Sequence, residues 1–361
     1  MARRPEGELR KGWTTGACAT AATAAAYTAL VTGAFPDPVT IRLPGGETPS
    51  FPLVRAQRGQ AWAMAAVVKD AGDDPDVTHG ATIVATVAPG EPGQGVRFRA
   101  GDGVGTVTLA GLPLAPGEPA INPAPRRMMT EAIAALAAAH GAHPDATVTI
   151  AIPGGQRLAE KTWNPRLGIV GGLSILGTTG VVVPFSCSSW IHAIHRGIDV
   201  ARAAGAVHVA GATGPTSETA VKQLHGLDDI ALIDMGDFCG GMLKYLRRNP
   251  VARVTVAGGF GKMAKLAAGH LDLHSSSSRV DVGRLADALA ALGAGPEALA
   301  RARAAASANE VLGIAGEAAL DLAAVVAEQA RSTALATLAG DALLDIVVVD
   351  REGRIIARAG P

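Results

Sequence analysis

Residues 207–262, VHVAGATGPTSETAVKQLHGLDDIALIDMGDFCGGMLKYLRRNPVARVTVAGGFGK, hold three strand–loop–helix units in succession. Residues 207–210 read as a strand that ends in the loop Gly211-Ala212-Thr213-Gly214 and passes into a helix through about residue 224. A second strand, 230–233, ends at Asp234 and precedes a helix over about 238–248. The third, 253–257, runs into Gly258-Gly259-Phe260-Gly261-Lys262 and a helix to residue 270. Successive units of this kind need right-handed crossovers, which implies a parallel, Rossmann-like α/β sheet.

On the carboxyl side, long Ala/Leu helices run through about residue 338, and a hairpin (346–349, turn 350–353, 355–357) is expected at the edge of this sheet. On the amino side, 186–204 reads as a helix with Trp190, Ile191, Ile194 and Ile198 on one face. Before residue 153 the rhythm is different. An Ala-rich helix at 17–31 is followed by strand signals at 39–43, 51–54, 83–88, 96–98 and 106–109. Residues 61–69 fit a strand or a helix. Residues 112–125 hold five prolines and should be extended or turning. A helix at 126–140 and a strand at 147–152 close this part. The expected organisation is two domains of α+β and α/β class. An N-terminal α+β domain spans 1–152, and a Rossmann-like α/β domain with C-terminal helices and a terminal hairpin spans 153–361.

The chain has 361 residues, with 32 Lys+Arg balanced by 32 Asp+Glu. Zero net charge argues against nucleic acid as a partner, since that requires a cationic surplus. At 48% apolar and 18% charged the chain is not disordered, and at 3% aromatic it offers no stacking platform. Its three cysteines, without a CxxC pair, fit neither a disulfide framework nor a cysteine zinc site; they suit a cytoplasmic protein. Residues 13–36 carry no charge and follow Arg3, Arg4, Arg10 and Lys11, an outline shared with signal peptides and membrane spans. Their Ala, Thr and Gly content is too weakly apolar for insertion, so a buried helix and no membrane partner are expected.

Several positions can carry chemistry. Gly211 and Gly214 bracket a tight turn, and Asp234 follows Gly211 by 23 residues at the end of the next strand. A carboxylate so placed can accept both hydroxyl hydrogens of a ribose, or it can cap the following helix. Gly258 and Gly259 precede Lys262, but Met263 breaks the Walker spacing, which excludes a P-loop triphosphatase. Lys262 and Lys265 share a helix face and suit either an anionic ligand or solvent. Residues 69–79 crowd Lys69, Asp70, Asp73, Asp74, Asp76, Thr78 and His79. Such a loop could hold a hard metal, form an acid–base pair with a raised pKa, or simply cap and turn. Cys187, His192 and His195 suggest packing more than a metal site. No GxSxG elbow occurs, so a serine hydrolase is excluded.

Five ordered segments carry a resemblance. They are LRKGWTTGACATAA from Leu9, VVKDAGDDPDVTHG from Val67, GDGVGTVTLAGLPLAPGEPAINPAPRRM from Gly101, LAEKTWNPRLGIVGGLSILGTTGVVVPFS from Leu158 and VAGGFGKMAKLAAGHLDLHS from Val256. On these the chain resembles the cobalt-precorrin-5B C(1)-methyltransferase family of cobalamin biosynthesis, the CbiD family. The resemblance implies transfer of a methyl group from S-adenosylmethionine to ring carbon 1 of a cobalt-bearing tetrapyrrole. The product would be cobalt-precorrin-6A, with S-adenosylhomocysteine released. The cobalt belongs to the substrate, so no protein metal site is implied. The methyl donor would lie at Gly211, Gly214, Asp234, Gly258 and Gly259, with Gly177, Thr178 and Thr179 as a rival site. Arg126, Arg127, Lys161, Arg166, Lys262 and Lys265 are the candidates for the tetrapyrrole carboxylates. His79, Asp73 and Asp74 are the candidates for any proton transfer. Two other classes stay open: a nicotinamide-dependent oxidoreductase, since Asp234 would serve NAD equally, and a non-catalytic corrinoid or nucleotide carrier. A homodimer also stays open.

Overall fold

The structure is a computed structural model that describes residues 7–361; Arg3 and Arg4, which shaped the signal-like reading, lie outside the described residues. The chain divides into two compact units, Met1–Ser186 and Cys187–Pro361.

The first unit is built on a helix made mostly of alanine and threonine. Helix α1 (Thr15–Thr32) starts at Thr14, whose hydroxyl accepts from the Ala17 N–H at 3.1 Å, and stops at Gly33 in the left-handed region. Its residues from Thr15 to Tyr27 are all buried. A helix buried on every side must be small all round where neighbours press on it, and alanine supplies that without losing helix propensity. A five-stranded sheet packs against it: β1 (Arg55–Arg58), β2 (Ala63–Val68), β3 (Thr82–Pro89), β4 (Val96–Ala100) and, after helix α2 (Pro123–His140), β5 (Ala146–Ala151). The order is β1-β2-β3-β5-β4, antiparallel except for the β5–β4 pair. Ile83, Ala85 and Val87 alternate with half-buried residues along β3, and Val148 and Ile150 do so along β5. Among the described residues no helix is long and apolar enough to cross a membrane.

The second unit begins with α3 (Cys187–Ala203), β6 (His208–Ala212), α4 (Pro215–His225), β7 (Leu232–Asp234), α5 (Cys239–Arg248), β8 (Arg253–Gly259) and α6 (Phe260–Ala267). Helices α7 (Val282–Ala291), α8 (Pro296–Ala304), α9 (Ala308–Glu317) and α10 (Leu322–Leu338) follow, then strands β9 (Leu343–Val349) and β10 (Ile355–Ala359). The sheet order is β7-β6-β8-β9-β10; the first four strands are parallel and β10 is an antiparallel edge, as the hairpin reading expected. Helix α4 covers one face, setting its Ala220 and Val221 over Ala210, Ala257 and Val347. The opposite face carries the larger core, where Ile233, Val254, Val256 and Ile346 meet α3, α5, α6 and α10. The order of strand addition reverses at β6 and β8: from β6 the chain passes to β7 on one side and then returns to β8 on the other. The crevice beyond the carboxyl ends of two such strands is where open α/β sheets bind ligands.

Three expectations need correction. The boundary at 152/153 falls 34 residues too early, because residues 153–186 pair with the first unit: Ile169–Val170 with Thr106–Val107, and Val181–Val182 with Gly12–Trp13. Pro123 and Pro125 belong to the first turn of α2, where a missing N–H costs nothing. Strand β1, the exposed run Arg-Ala-Gln-Arg, carries no apolar period and was not expected.

Candidate active site

At the carboxyl edge of the second unit's sheet, Ala212 stands in register with Asp234 on one side and Ala257 on the other. The Thr213 N–H donates to the Ala257 carbonyl at 3.0 Å, which ties the two loops together. Gly214 and Gly259 are the N-caps of α4 and α6. A Cβ at Gly214 would meet nothing within 4 Å, and one at Gly259 would reach only the Val349 carbonyl, at 4.0 Å. Both backbones are therefore open to a ligand, beside N–H groups that favour anions. Gly211 and Gly258 are different. A methyl group at Gly211 would collide with the Met242 sulfur, and one at Gly258 would lie 2.7 Å from Met263 Cε and 2.9 Å from the Thr213 side chain. Those two glycines serve packing.

Asp234 is half-buried, and its carbonyl accepts from Trp190 Nε1 at 3.2 Å. The Trp190 ring also lies against Gly236, 6.5 Å from the Phe238 ring. This aromatic border was missed as a functional feature because the helical period of α3 assigned Trp190 to the core. The lysines expected to grip an anion instead turn inward. Lys262 Nζ pairs with the Asp237 carboxylate and donates to the Leu273 carbonyl at 3.0 Å, and Lys265 Nζ donates to the same carbonyl at 2.9 Å. Burial, then the neighbouring Lys262, lowers the Lys265 pKa from the usual lysine range.

In the first unit every carboxylate of the acidic loop has a partner. Asp70 takes two bonds from the Arg10 guanidinium, at 2.5 and 2.9 Å, and one from the Gly72 N–H. Asp73 accepts the Arg10 N–H at 2.6 Å, and Asp74 accepts the Phe185 N–H at 2.8 Å. Asp76 meets the buried Lys69 Nζ at 2.6 Å and takes both the N–H and the hydroxyl of Thr78. For Asp70 and Asp76 the shift is downward, not the expected rise. The Arg10 hydrogen bond, with the Gly72 N–H, holds Asp70 down to about 2. Burial alone would raise Asp76, but the Lys69 ammonium and the Thr78 donors outweigh it and hold it low. His79 is half exposed, and its Nδ1 accepts the Ala71 N–H at 3.1 Å. In the neutral ring that bond leaves the proton on Nε2, which makes Nε2 a donor.

The GTTG turn braces the start of α1. Leu176 and Gly180 accept from the Gly16 and Thr14 N–H groups, and Gly177 presses on the Thr14 side chain, while Thr178 and Thr179 are exposed. Arg126 is committed to its own loop, donating to the carbonyls of Ile121 (2.7 Å) and Pro119 (3.2 Å), pairing with Glu118 at 2.7 Å, and lying over Phe98. Arg166 is half-buried and engaged within the chain. Arg127 and Lys161 are exposed.

His195 stacks on Tyr245 at 3.9 Å, with the His192 ring 6.3 Å away, and Cys187 is exposed. A cluster that sequence spacing could not show lies elsewhere: among the described residues His208, His225 and Asp345 bring their ligand atoms within 4.8 Å of one another.

Residues 2–184 match the CbiD family, and residues 272–360 match the family described as CbiD, C-terminal domain. The chain is 60% identical over 358 residues to the cobalt-precorrin-5B C(1)-methyltransferase of Brucella canis, covering 99% of this chain and 97% of that one. It is also 60% identical over 355 residues to the protein of the same name from Paramagnetospirillum magneticum, covering 98% and 99%. A 1.9 Å crystal structure of a cobalamin biosynthesis protein (cbiD) from Archaeoglobus fulgidus aligns with 75% of this chain and 84% of its own, at 26% identity and a TM-score of 0.41.

Proposed function

The chain belongs to the CbiD family, and from that membership we propose that it catalyses the reaction its relatives are named for, methylation of carbon 1 of cobalt-precorrin-5B. The observation that carries this reading is the 60% identity along nearly the full length of both chains. The methyl donor is S-adenosylmethionine, and the carboxyl edge of the second unit's sheet fits it. Gly214 and Gly259 leave their backbones open beside two helix N-termini, where the methionine carboxylate is favoured. Asp234 accepts the ribose hydroxyls, and Trp190 with Phe238 keeps water from that side of the adenosine. When bound, S-adenosylmethionine supplies an activated methyl: the methyl–sulfur bond breaks as the methyl–C1 bond forms, and its electron pair returns to sulfur. The protein's contribution is then alignment more than proton transfer. His79 serves as a donor to a substrate carboxylate, and Arg127 and Lys161 meet others. Asp73 and Asp74 hold the loop that presents His79, while Lys262 and Lys265 hold the segment at Leu273.

The test combines calorimetry with turnover. The protein should bind S-adenosylhomocysteine and should add one methyl mass to cobalt-precorrin-5B. Asp234→Ala should weaken S-adenosylhomocysteine binding by about 1.5–3 kcal/mol, the scale for hydrogen bonds to a charged group. Gly214→Val should weaken it with no loss of stability. Binding of NAD in its place would favour an oxidoreductase; binding of both ligands without turnover would leave a carrier. An unchanged dissociation constant in folded Asp234→Ala would move the donor site elsewhere, the GTTG turn being next.

A further inference from the structure

At the amino-terminal edge of the second unit's sheet, opposite the edge just described, five polar side chains converge. His208 Nε2 lies 2.8 Å from Thr255 Oγ1, and His225 Nε2 lies 3.4 Å from the same oxygen and 3.2 Å from Asp345 Oδ2. Thr255 Oγ1 is 3.0 Å from Asp345 Oδ2. Arg253 Nε donates to the other carboxylate oxygen, Oδ1, at 3.0 Å. Asp345 is 1% exposed and Thr255 fully buried, while His208 is half-buried and leaves a way in. The strand register sets four of these positions, pairing His208 with Arg253 and Thr255 with Asp345; His225 closes α4 and swings in from the covering helix.

We propose that His208, His225, Asp345 and Thr255 form a binding site for one divalent transition ion of the zinc class. Four donor atoms around an ion at ~2.0–2.1 Å define a tetrahedron with edges of roughly 3.3 Å. Four of the six edges stand at 2.8, 3.0, 3.2 and 3.4 Å, and the two from His208 to His225 and Asp345 lie within 4.8 Å and close on binding. Two imidazoles, a carboxylate and a hydroxyl, with no thiolate, suit zinc better than calcium or magnesium. On binding, each ring keeps its proton by shifting it from Nε2 to Nδ1, and the ion takes the freed lone pair. Asp345 separates two cations, the ion at Oδ2 and Arg253 at Oδ1, and Arg253 fixes the carboxylate's orientation as an outer-shell partner. The site is independent of the methyl-transfer reading. It cross-links three strands and α4 beneath the functional edge.

The test uses the full chain without a histidine tag, stripped by chelator and titrated with Zn2+ by calorimetry and with Co2+ by visible absorption. The expected result is one equivalent bound, tetrahedral d–d bands without thiolate charge transfer, and a raised melting temperature. His208→Gln and His225→Gln, each checked by circular dichroism, should lose at least about 100-fold in affinity and lose the thermal shift. Cys187→Ser should change nothing. No saturable equivalent in the stripped protein, undiminished binding in His208→Gln, or thiolate bands that vanish in Cys187→Ser would each overturn the proposal. The cluster would then be a closed hydrogen-bond network.

Discussion

The ion pair between Lys69 and Asp76 offers the sharpest test of how the acidic loop is held. The Lys69 side chain is 1% exposed, and its ammonium meets Asp76 Oδ2 at 2.6 Å; Asp76 itself is 25% exposed. Asp76→Asn keeps the shape of the side chain but leaves a buried ammonium without its counter-charge. Removing one partner of a buried pair costs about 3–5 kcal/mol. Because water already reaches Asp76, the low end, about 3 kcal/mol, is the expectation. For a unit of this size each kcal/mol moves the midpoint by about 2–4 °C, so the first unit should melt about 6–12 °C lower. Lys69→Met should cost less, about 1–2 kcal/mol, since Asp76 keeps the Thr78 donors and its water. The double variant should be more stable than Asp76→Asn alone, because it removes the stranded charge. Calorimetric scans and urea titrations of the four proteins complete the cycle. A fall of less than about 2 °C in Asp76→Asn, or a double variant no better than that single one, would refute the reasoning.

Three further outcomes follow from the geometry. Lys262→Ala strands the Asp237 carboxylate and should cost about 1–3 kcal/mol of stability while leaving the tetrapyrrole KM unchanged per folded molecule; a salt-dependent rise in that KM at unchanged stability would restore a direct grip on substrate. Asp70 has a folded pKa of about 2 against ~3.9 unfolded, so its contribution is full above about pH 4 and is lost as pH falls through about 2. Arg10→Gln should flatten that part of the acid-unfolding profile, and an identical profile would exclude the pair as its source. Burial pushes the Cys18 and Cys239 thiols up to about 12, whereas Cys187 is exposed. Native protein should therefore titrate one thiol quickly with a disulfide reagent and all three only after unfolding; two fast thiols would contradict the burial.

The second unit was readable because its signals are local: each apolar run ends in a glycine loop, and parallel topology follows from three repeats of that pattern. The first unit's α1 was readable for the opposite reason, since a chargeless Ala/Thr run can only be buried. Strand β1 escaped because an edge strand whose four residues are all exposed needs no apolar period. The unit boundary escaped because the pairings that hold residues 153–186 join positions up to 170 apart. At the site, the glycines were visible but their roles were not. Gly211 and Gly214 look alike in sequence, and only the Met242 sulfur over one and the open space over the other separate them. The same limit hid the His208, His225 and Asp345 cluster, whose last member lies 120 residues beyond His225.

The strap formed by Gly12–Trp13 against Val181–Val182, with Thr14 and Gly16 bonded to the 176–180 turn, has a consequence for the order of events during synthesis. The amino end of α1 leaves the ribosome about 170 residues before its partners. At roughly 5–20 residues per second that is a wait of about ten to thirty seconds. Through that interval the α1 segment is without those neighbours, and any chaperone that shields nascent chains would meet the first unit in this unlaced state. Lengthening the delay with slow codons before residue 181 should thus lower the yield of folded protein, whereas the same codons after residue 186 should spare the first unit.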